Sequence, residues 1–184
     1  MIDKEYWIWF SRIDNLTPKI LNELLEKFKS PKKLFEISKE ELLLAGIKEK
    51  YINEIIDTKY KLKLQKYSQY MNQNSIDIIT INDKEYPDSL KLIYDPPVVL
   101  YVKGNKEILK EKSVSMVGCR LCTTYGKKVA RKLAYDLSLN NINVVSGLAI
   151  GVDSFAHEGA LDGKNGKTIA VVRMWIKYCV PNGE

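Results

Sequence analysis

A chain of 184 residues can bury one good core and a small satellite domain. It has no run of eighteen apolar residues, and its start, Met1-Ile-Asp-Lys-Glu5, lacks the basic and apolar regions of a secretory signal, so neither a membrane-spanning helix nor export is expected and a cytoplasmic setting is. The net charge of +6 is compatible with a polyanionic partner, although only Arg12, Arg120, Arg131 and Arg173 are arginines, and the cysteines Cys119, Cys122 and Cys179 suit a reducing compartment rather than a disulfide framework.

Residues 1–70 read as a helical domain. Thr17-Pro18 offers an N-cap followed by proline at the first helical position, and Ile20, Leu21, Leu24, Leu25 and Phe28 recur at helical spacing. Ser30-Pro31 repeats the start signal. Ser38-Lys-Glu-Glu41 matches a capping box, and the helix behind it is expected to stop at Gly46. An amphipathic run with Tyr51, Ile52, Ile55 and Ile56 follows. The turn Leu42-Leu-Leu-Ala-Gly-Ile47 between two helices resembles a helix-hairpin-helix unit of the SAM-like kind, where the turn glycine admits a nucleic-acid backbone. A compact helical bundle that packs on its neighbour and binds nothing is the preferred reading of the same residues. Lys59 to Gln73 is polar and lysine-rich, a solvated helix or a basic one carrying tyrosines.

From residue 71 the pattern changes. Asp77-Ile-Ile-Thr-Ile81 and Val98-Val-Leu-Tyr-Val102 are strand candidates. Tyr86-Pro87 and Asp95-Pro-Pro97 are rigid turns, because proline fixes its own φ and restricts the residue before it. Three further strands, in Val114-Ser-Met-Val117, Ile142-Asn-Val-Val145 and Thr168-Ile-Ala-Val-Val172, alternate with helical stretches. That alternation predicts a parallel, Rossmann-like sheet. Two of the strands run into small-residue turns, Gly118-Cys-Arg120 and Ser146-Gly-Leu-Ala-Ile-Gly151. Such turns let backbone N–H groups approach an anion at a helix N-terminus.

The turns carry the candidate chemistry. Arg120 can grip a phosphate in two-point fashion, or it can pair with a carboxylate on the following helix. Gly118, Gly147, Ala149 and Gly151 keep space above the backbone, and Ser146 can donate to a phosphate oxygen. Asp153 is expected to cap the helix that it begins. His157, the only histidine, lacks partners for a metal or catalytic role and is expected to pack or hydrogen-bond near the turn. Cys119 and Cys122 form a C-x-x-C spacing, with no second cysteine pair to make a zinc site. There is no Ser/His/Asp set, no paired acids and no Walker-type lysine. Neither a catalytic residue nor a cofactor is predicted.

The chain resembles the DprA/Smf family of bacterial DNA-processing proteins. The resemblance rests on Tyr86-Pro87, Asp95-Pro-Pro-Val-Val-Leu-Tyr101 with Gly104, Ser115-Met-Val-Gly-Cys-Arg120, Ser146 to Asp153, Ala156-His157, Gly159-Ala-Leu161 and Lys167-Thr-Ile-Ala-Val171. It implies an α/β protein in which a helical domain (1–70) precedes a DprA-type Rossmann-like domain (71–172). It implies single-stranded DNA binding and protection during natural transformation, loading of the RecA recombinase and homodimerisation in intact relatives. Arg120 and, just before the last strand, Lys167 are the implied DNA contacts. The alternative is an enzyme of the related LOG-type phosphoribohydrolases, which the Tyr-Pro and Asp-Pro-Pro segments argue against.

The resemblance stops after Val172. Residues 173–184 are expected to be an out-of-frame tail. Removing one base near the Arg173 codon turns the Met174 codon into a cysteine codon and that of Trp175 into a glycine codon. The shifted frame can then read Gly-Cys-Gly-Leu-Asn-Ile-Val-Tyr-Pro, the continuation that the family carries. On this reading the Rossmann-like sheet is incomplete and the chain impaired, or an inactive remnant.

Overall fold

The computed structural model describes residues 3–61 and 64–172; the expected tail at 173–184 lies outside them. The chain divides into two compact units, the first ending at Lys106 and the second beginning at Glu107. Among the described residues no helix is long and apolar enough to cross a membrane.

The first unit opens with six helices: α1 (Asp3–Ser11), α2 (Pro18–Phe28), α3 (Pro31–Glu36), α4 (Lys39–Leu44), α5 (Glu49–Lys61) and α6 (Leu64–Gln73). Their starts follow the expected cap chemistry. The side chains of Thr17, Ser30 and Ser38 accept N–H bonds from Ile20, Lys33 and Glu41, and Glu41 returns the bond to Ser38 in a full capping box. The core is aromatic and aliphatic. Ile8, Trp9 and Phe10 are fully buried, Phe35 meets Trp9 edge-on at 5.0 Å, and Leu34, Leu42, Ile52, Ile55 and Met71 are buried as well. Gly46, at φ +74°, ends α4 and turns the chain toward α5.

An antiparallel strand pair belongs to this same unit: β1 (Ile76–Thr80) and, after the short α7 (Asp88–Lys91), β2 (Val99–Lys103). The Tyr86-Pro87 and Asp95-Pro-Pro97 turns between them are clamped together. Tyr86 is fully buried and its hydroxyl donates to the Pro97 carbonyl at 2.7 Å. Burial pushes the Tyr86 phenol up to about 12.

After a 3-10 turn (Lys106–Lys110), the second unit runs β3 (Ser113–Ser115), α8 (Thr124–Leu139), β4 (Asn143–Ser146), α9 (Val152–Asp162) and β5 (Thr168–Ala170). The strands form a parallel sheet in the order β3-β4-β5, with Val114 opposite Val144 and Val144 opposite Thr168. Each crossover is a helix, which is the Rossmann-like α/β arrangement that the strand–helix alternation predicts. Helices α8 and α9 pack on each other and on β4. Ala134, Val144, Ala156 and Ala160 form the buried core, with Met116 and Leu137 against it. Small residues make this possible. A Cβ on Gly159 would sit 2.1 Å from the Arg131 carbonyl oxygen, so α9 touches the α8 backbone there.

Candidate nucleic-acid interface

The two small-residue turns lie together at the C-terminal end of the parallel sheet. Beyond β3 the chain stays paired to β4 through the Met116 N–H, which donates to the Val145 carbonyl at 2.9 Å. Residues 117–123 then lead to α8. Beyond β4, residues 147–151 lead to α9, with Leu148 at φ +56° and Gly151 at φ +98°. The turns are pressed onto each other. The Val152 N–H donates to the Cys119 carbonyl at 3.2 Å. A Cβ on Gly118 would stand 2.6 Å from a Val152 methyl, and one on Gly151 would stand 2.4 Å from the Cys119 oxygen and 2.5 Å from that of Arg120. These glycines admit neighbouring protein atoms, and Gly151 also takes a conformation that L side chains rarely adopt.

The polar groups of the turns have internal partners as well. Ser146 is buried and its hydroxyl donates to the Met116 carbonyl at 2.7 Å, tying β4 to the end of β3. The Gly147 N–H donates to Asp153 Oδ2 at 3.1 Å. The expected role of Asp153 as cap of its own helix is thereby corrected. It is the second residue of α9, the N-cap is Gly151 with no side-chain bond, and the carboxylate reaches back to the turn instead. Ala149 is half-buried between Leu148 and Ile150, whose side chains project outward.

Arg120 differs from the other described arginines. The Arg12 guanidinium lies 4.6 Å from the Tyr67 ring centroid, and Arg131 pairs with Asp162 at 2.7 Å and Glu158 at 3.6 Å. Arg120 is exposed at the mouth of the turn, with no ion pair, hydrogen bond or ring contact from its side chain among the described residues. Its backbone is fixed by the contact with Gly151 while its charge stays in solvent.

Lys167 lies elsewhere. It precedes the first residue of β5, whereas the turns follow the last residues of β3 and β4. At about 3.3 Å per residue, the length of a short strand, about 10 Å, separates the two ends of the sheet. The Lys167 ammonium donates to both Glu111 oxygens at 2.7 and 2.9 Å, and Asn143 donates to the same carboxylate at 3.0 Å. The Lys167 and Asn143 hydrogen bonds hold the Glu111 carboxyl below its usual range. The structure therefore gathers Gly118, Arg120, Ser146, Gly147, Ala149 and Gly151 and leaves Lys167 at the opposite end. Glu111 as the partner of Lys167 has no sequence signal, because the two are far apart in the chain.

His157 is buried on the inner face of α9, and its hydrogen bond corrects the expectation of a partner near the turn: it reaches Thr168, the first residue of β5, toward the other end of the sheet. Thr168 Oγ1 donates to the Val144 carbonyl at 2.7 Å, so its oxygen accepts from His157 Nδ1–H, also at 2.7 Å. Burial lowers the His157 pKa, against the opposing pull of the Asp153 charge. Cys119 and Cys122 are free thiols, and no group of three metal-ligating side chains gathers among the described residues.

Comparison with known proteins bears on the family and the fold. A family model described as DNA recombination-mediator protein A matches residues 77–184. The chain is 34% identical over 146 residues to the DNA processing protein DprA of Bacillus subtilis, an alignment covering 79% of this chain and 47% of that protein. It is 42% identical over 105 residues to DprA of Streptococcus pneumoniae, covering 57% of this chain and 36% of that one. The X-ray structure of DprA from Streptococcus pneumoniae superposes with a TM-score of 0.72 at 31% identity, covering 91% of this chain and 57% of that chain. The chain thus spans less than half the length of these two curated relatives.

Proposed function

The chain belongs to the DNA recombination-mediator protein A family, with the DprA and Smf proteins, and from that membership we propose that it binds single-stranded DNA and protects it in DNA processing. One observation carries the reading. Arg120 is held by its backbone at the C-terminal end of a parallel sheet, where α/β proteins place their ligands, and its guanidinium has no protein partner among the described residues. A guanidinium fixed at its base and open at its tip suits a phosphodiester oxygen. The platform beneath it is built by Gly118, Ser146, Gly147, Ala149 and Gly151. Binding is then independent of sequence and weakens with salt as counterions return to the strand.

For an intact relative the proposal extends to natural transformation in the cytoplasm, to loading of the RecA recombinase and to pairing of two copies. It assigns the chain no catalytic step. The nucleotide-hydrolysing alternative has a physical argument against it: the Gly147 N–H, which would face a nucleotide phosphate, already holds the Asp153 carboxylate. For residues 173–184 we keep the one-base insertion as a proposal, tested by resequencing the gene across the codons of Val172 to Glu184.

Titrating the chain with single-stranded oligonucleotides at several salt concentrations tests the DNA reading. Affinity that falls linearly with salt on logarithmic axes, and that drops when Arg120 is replaced by alanine, supports it. Salt-independent binding, or binding indifferent to Arg120→Ala, overturns it.

A further inference from the structure

We infer that Tyr125 is a base-stacking position beside Arg120, so that a bound strand is held by a phosphate contact and a base contact on one short stretch of chain. This rests on the single-stranded DNA reading and adds to it the part of the nucleotide that is recognised.

Tyr125 is the second residue of α8, five residues after Arg120. Its backbone is fixed, because Thr123 caps the helix by accepting the Gly126 N–H at 3.1 Å. Its side chain is 77% exposed. The ring makes no stacking, cation–π or hydrogen-bond contact among the described residues, although tyrosines elsewhere in the chain are engaged. Tyr6 meets Phe35, Tyr67 lies under Arg12, Tyr94 meets Lys19, Tyr101 bonds Ser11 and Tyr135 lies beside Lys132. Arg120 stands out among the described arginines in the same way, so this charge and this ring, both without partners among the described residues, flank a single helix start.

The surroundings suit a nucleic-acid strand. Leu121 is 96% exposed and Ile150 81% exposed on the two turns that meet beneath Arg120, which gives apolar surface for a splayed base. Lys128 follows Tyr125 by three residues, on the same face of α8, and is exposed without a partner among the described residues. A positive track with an aromatic platform is the combination that holds single strands without reading sequence. A ring of this kind also discriminates against duplex, because paired bases keep their faces inside the stack and offer none to Tyr125.

The test uses the whole chain and two probes, an oligothymidylate of about twenty nucleotides and an abasic deoxyribose-phosphate strand of equal length. Replacing Tyr125 by alanine is expected to weaken oligothymidylate binding roughly tenfold or more and to leave abasic binding unchanged. Tyr125→Phe keeps the ring and is expected to keep wild-type affinity. Arg120→Ala is expected to weaken both probes. A strand bearing 5-iododeoxyuridine is expected to crosslink at Tyr125. If Tyr125→Ala binds oligothymidylate like the wild type while Arg120→Ala does not, the inference falls and the DNA reading stands. If the wild-type chain binds neither probe, both fall.

Discussion

The Asp153 carboxylate accepts the Gly147 N–H at 3.1 Å, so the glycine-rich turn carries its own anion. Its Oδ2 lies 2.9 Å from where a Cβ on Gly147 would be, and the carboxylate fills the concavity that small residues leave open in a phosphate-binding turn. A negative group in the first turn of α9 also complements the helix dipole. The turn is complete without a ligand. It packs on the backbone of Cys119 and Arg120 through Gly151 and Val152, and under the proposed function this sets where the Arg120 side chain starts.

Asp153→Ala is expected to destabilise the chain by about 1–3 kcal/mol, since Asp153 is buried and its loss leaves the Gly147 N–H without its acceptor. Asp153→Asn, which keeps an acceptor oxygen, is expected to lose less. Urea unfolding of the two variants checks both. Equal stability of Asp153→Ala and wild type would mean that the turn does not depend on this bond.

Three glycines separate strain from collision. Gly46 has φ +74° with nothing within 4 Å of its Cβ position, so Gly46→Ala meets only the backbone penalty, about 1 kcal/mol. Gly151→Ala meets that penalty and two carbonyl oxygens inside 2.6 Å, and Gly159→Ala drives a methyl into the Arg131 carbonyl. Both are expected to cost more, about 2–4 kcal/mol, with Gly151→Ala also lowering DNA affinity through the displaced Arg120. Thermal unfolding ranks the three. Gly46→Ala as the most damaging would contradict the packing.

The local features were readable from residue order because their causes are local. Thr17-Pro18, Ser30-Pro31 and the Ser38–Glu41 box start helices by side chain–backbone bonds within four residues. Strand–helix alternation likewise announced β3, β4 and β5. The partners were not readable. That Gly118 would face Val152 follows from the docking of two turns separated by a whole helix and a strand, and that Asp153 would turn back to Gly147 instead of capping α9 follows from the path of its own turn, in which Gly151 takes the N-cap position. The same holds for Glu111 and Lys167, which meet only because β4 aligns β3 and β5.

That pairing makes Arg120 and Lys167 unequal. Arg120→Ala removes an exposed, unpartnered charge, so stability is expected to stay within about 0.5 kcal/mol of wild type while DNA affinity falls and the logarithmic salt slope shrinks by about one. Lys167→Ala removes a charge already held by Glu111, at the far end of the strands. It is expected to change DNA affinity less than Arg120→Ala does. Salt titrations of both variants decide the order, and a larger loss from Lys167→Ala would relocate the interface to the other end of the sheet.

The last prediction concerns acid. His157 is the only histidine in the chain, and its geometry fixes a proton on Nδ1, because the Thr168 hydroxyl is already donating to Val144. Nε2 is buried without a partner, so a second proton there would form an N–H with no acceptor. Burial accordingly lowers the folded pKa from the ordinary 6.5, and the Asp153 charge offsets only part of this. Between that lowered value and 6.5, the unfolded chain binds the proton that the folded chain refuses, so stability rises with pH across the window and is level above it. As pH falls through 6.5 the neutral-histidine contribution is lost. Glu111 and Asp162, whose carboxyls are held low by Lys167 and Arg131, act in a separate window, below their ordinary values of 4.5 and 3.8. Unfolding free energy measured from about pH 7 to about pH 5 should therefore decline in the wild type and stay flatter in His157→Gln. Parallel profiles for the two proteins would mean that His157 takes up its proton as readily folded as unfolded.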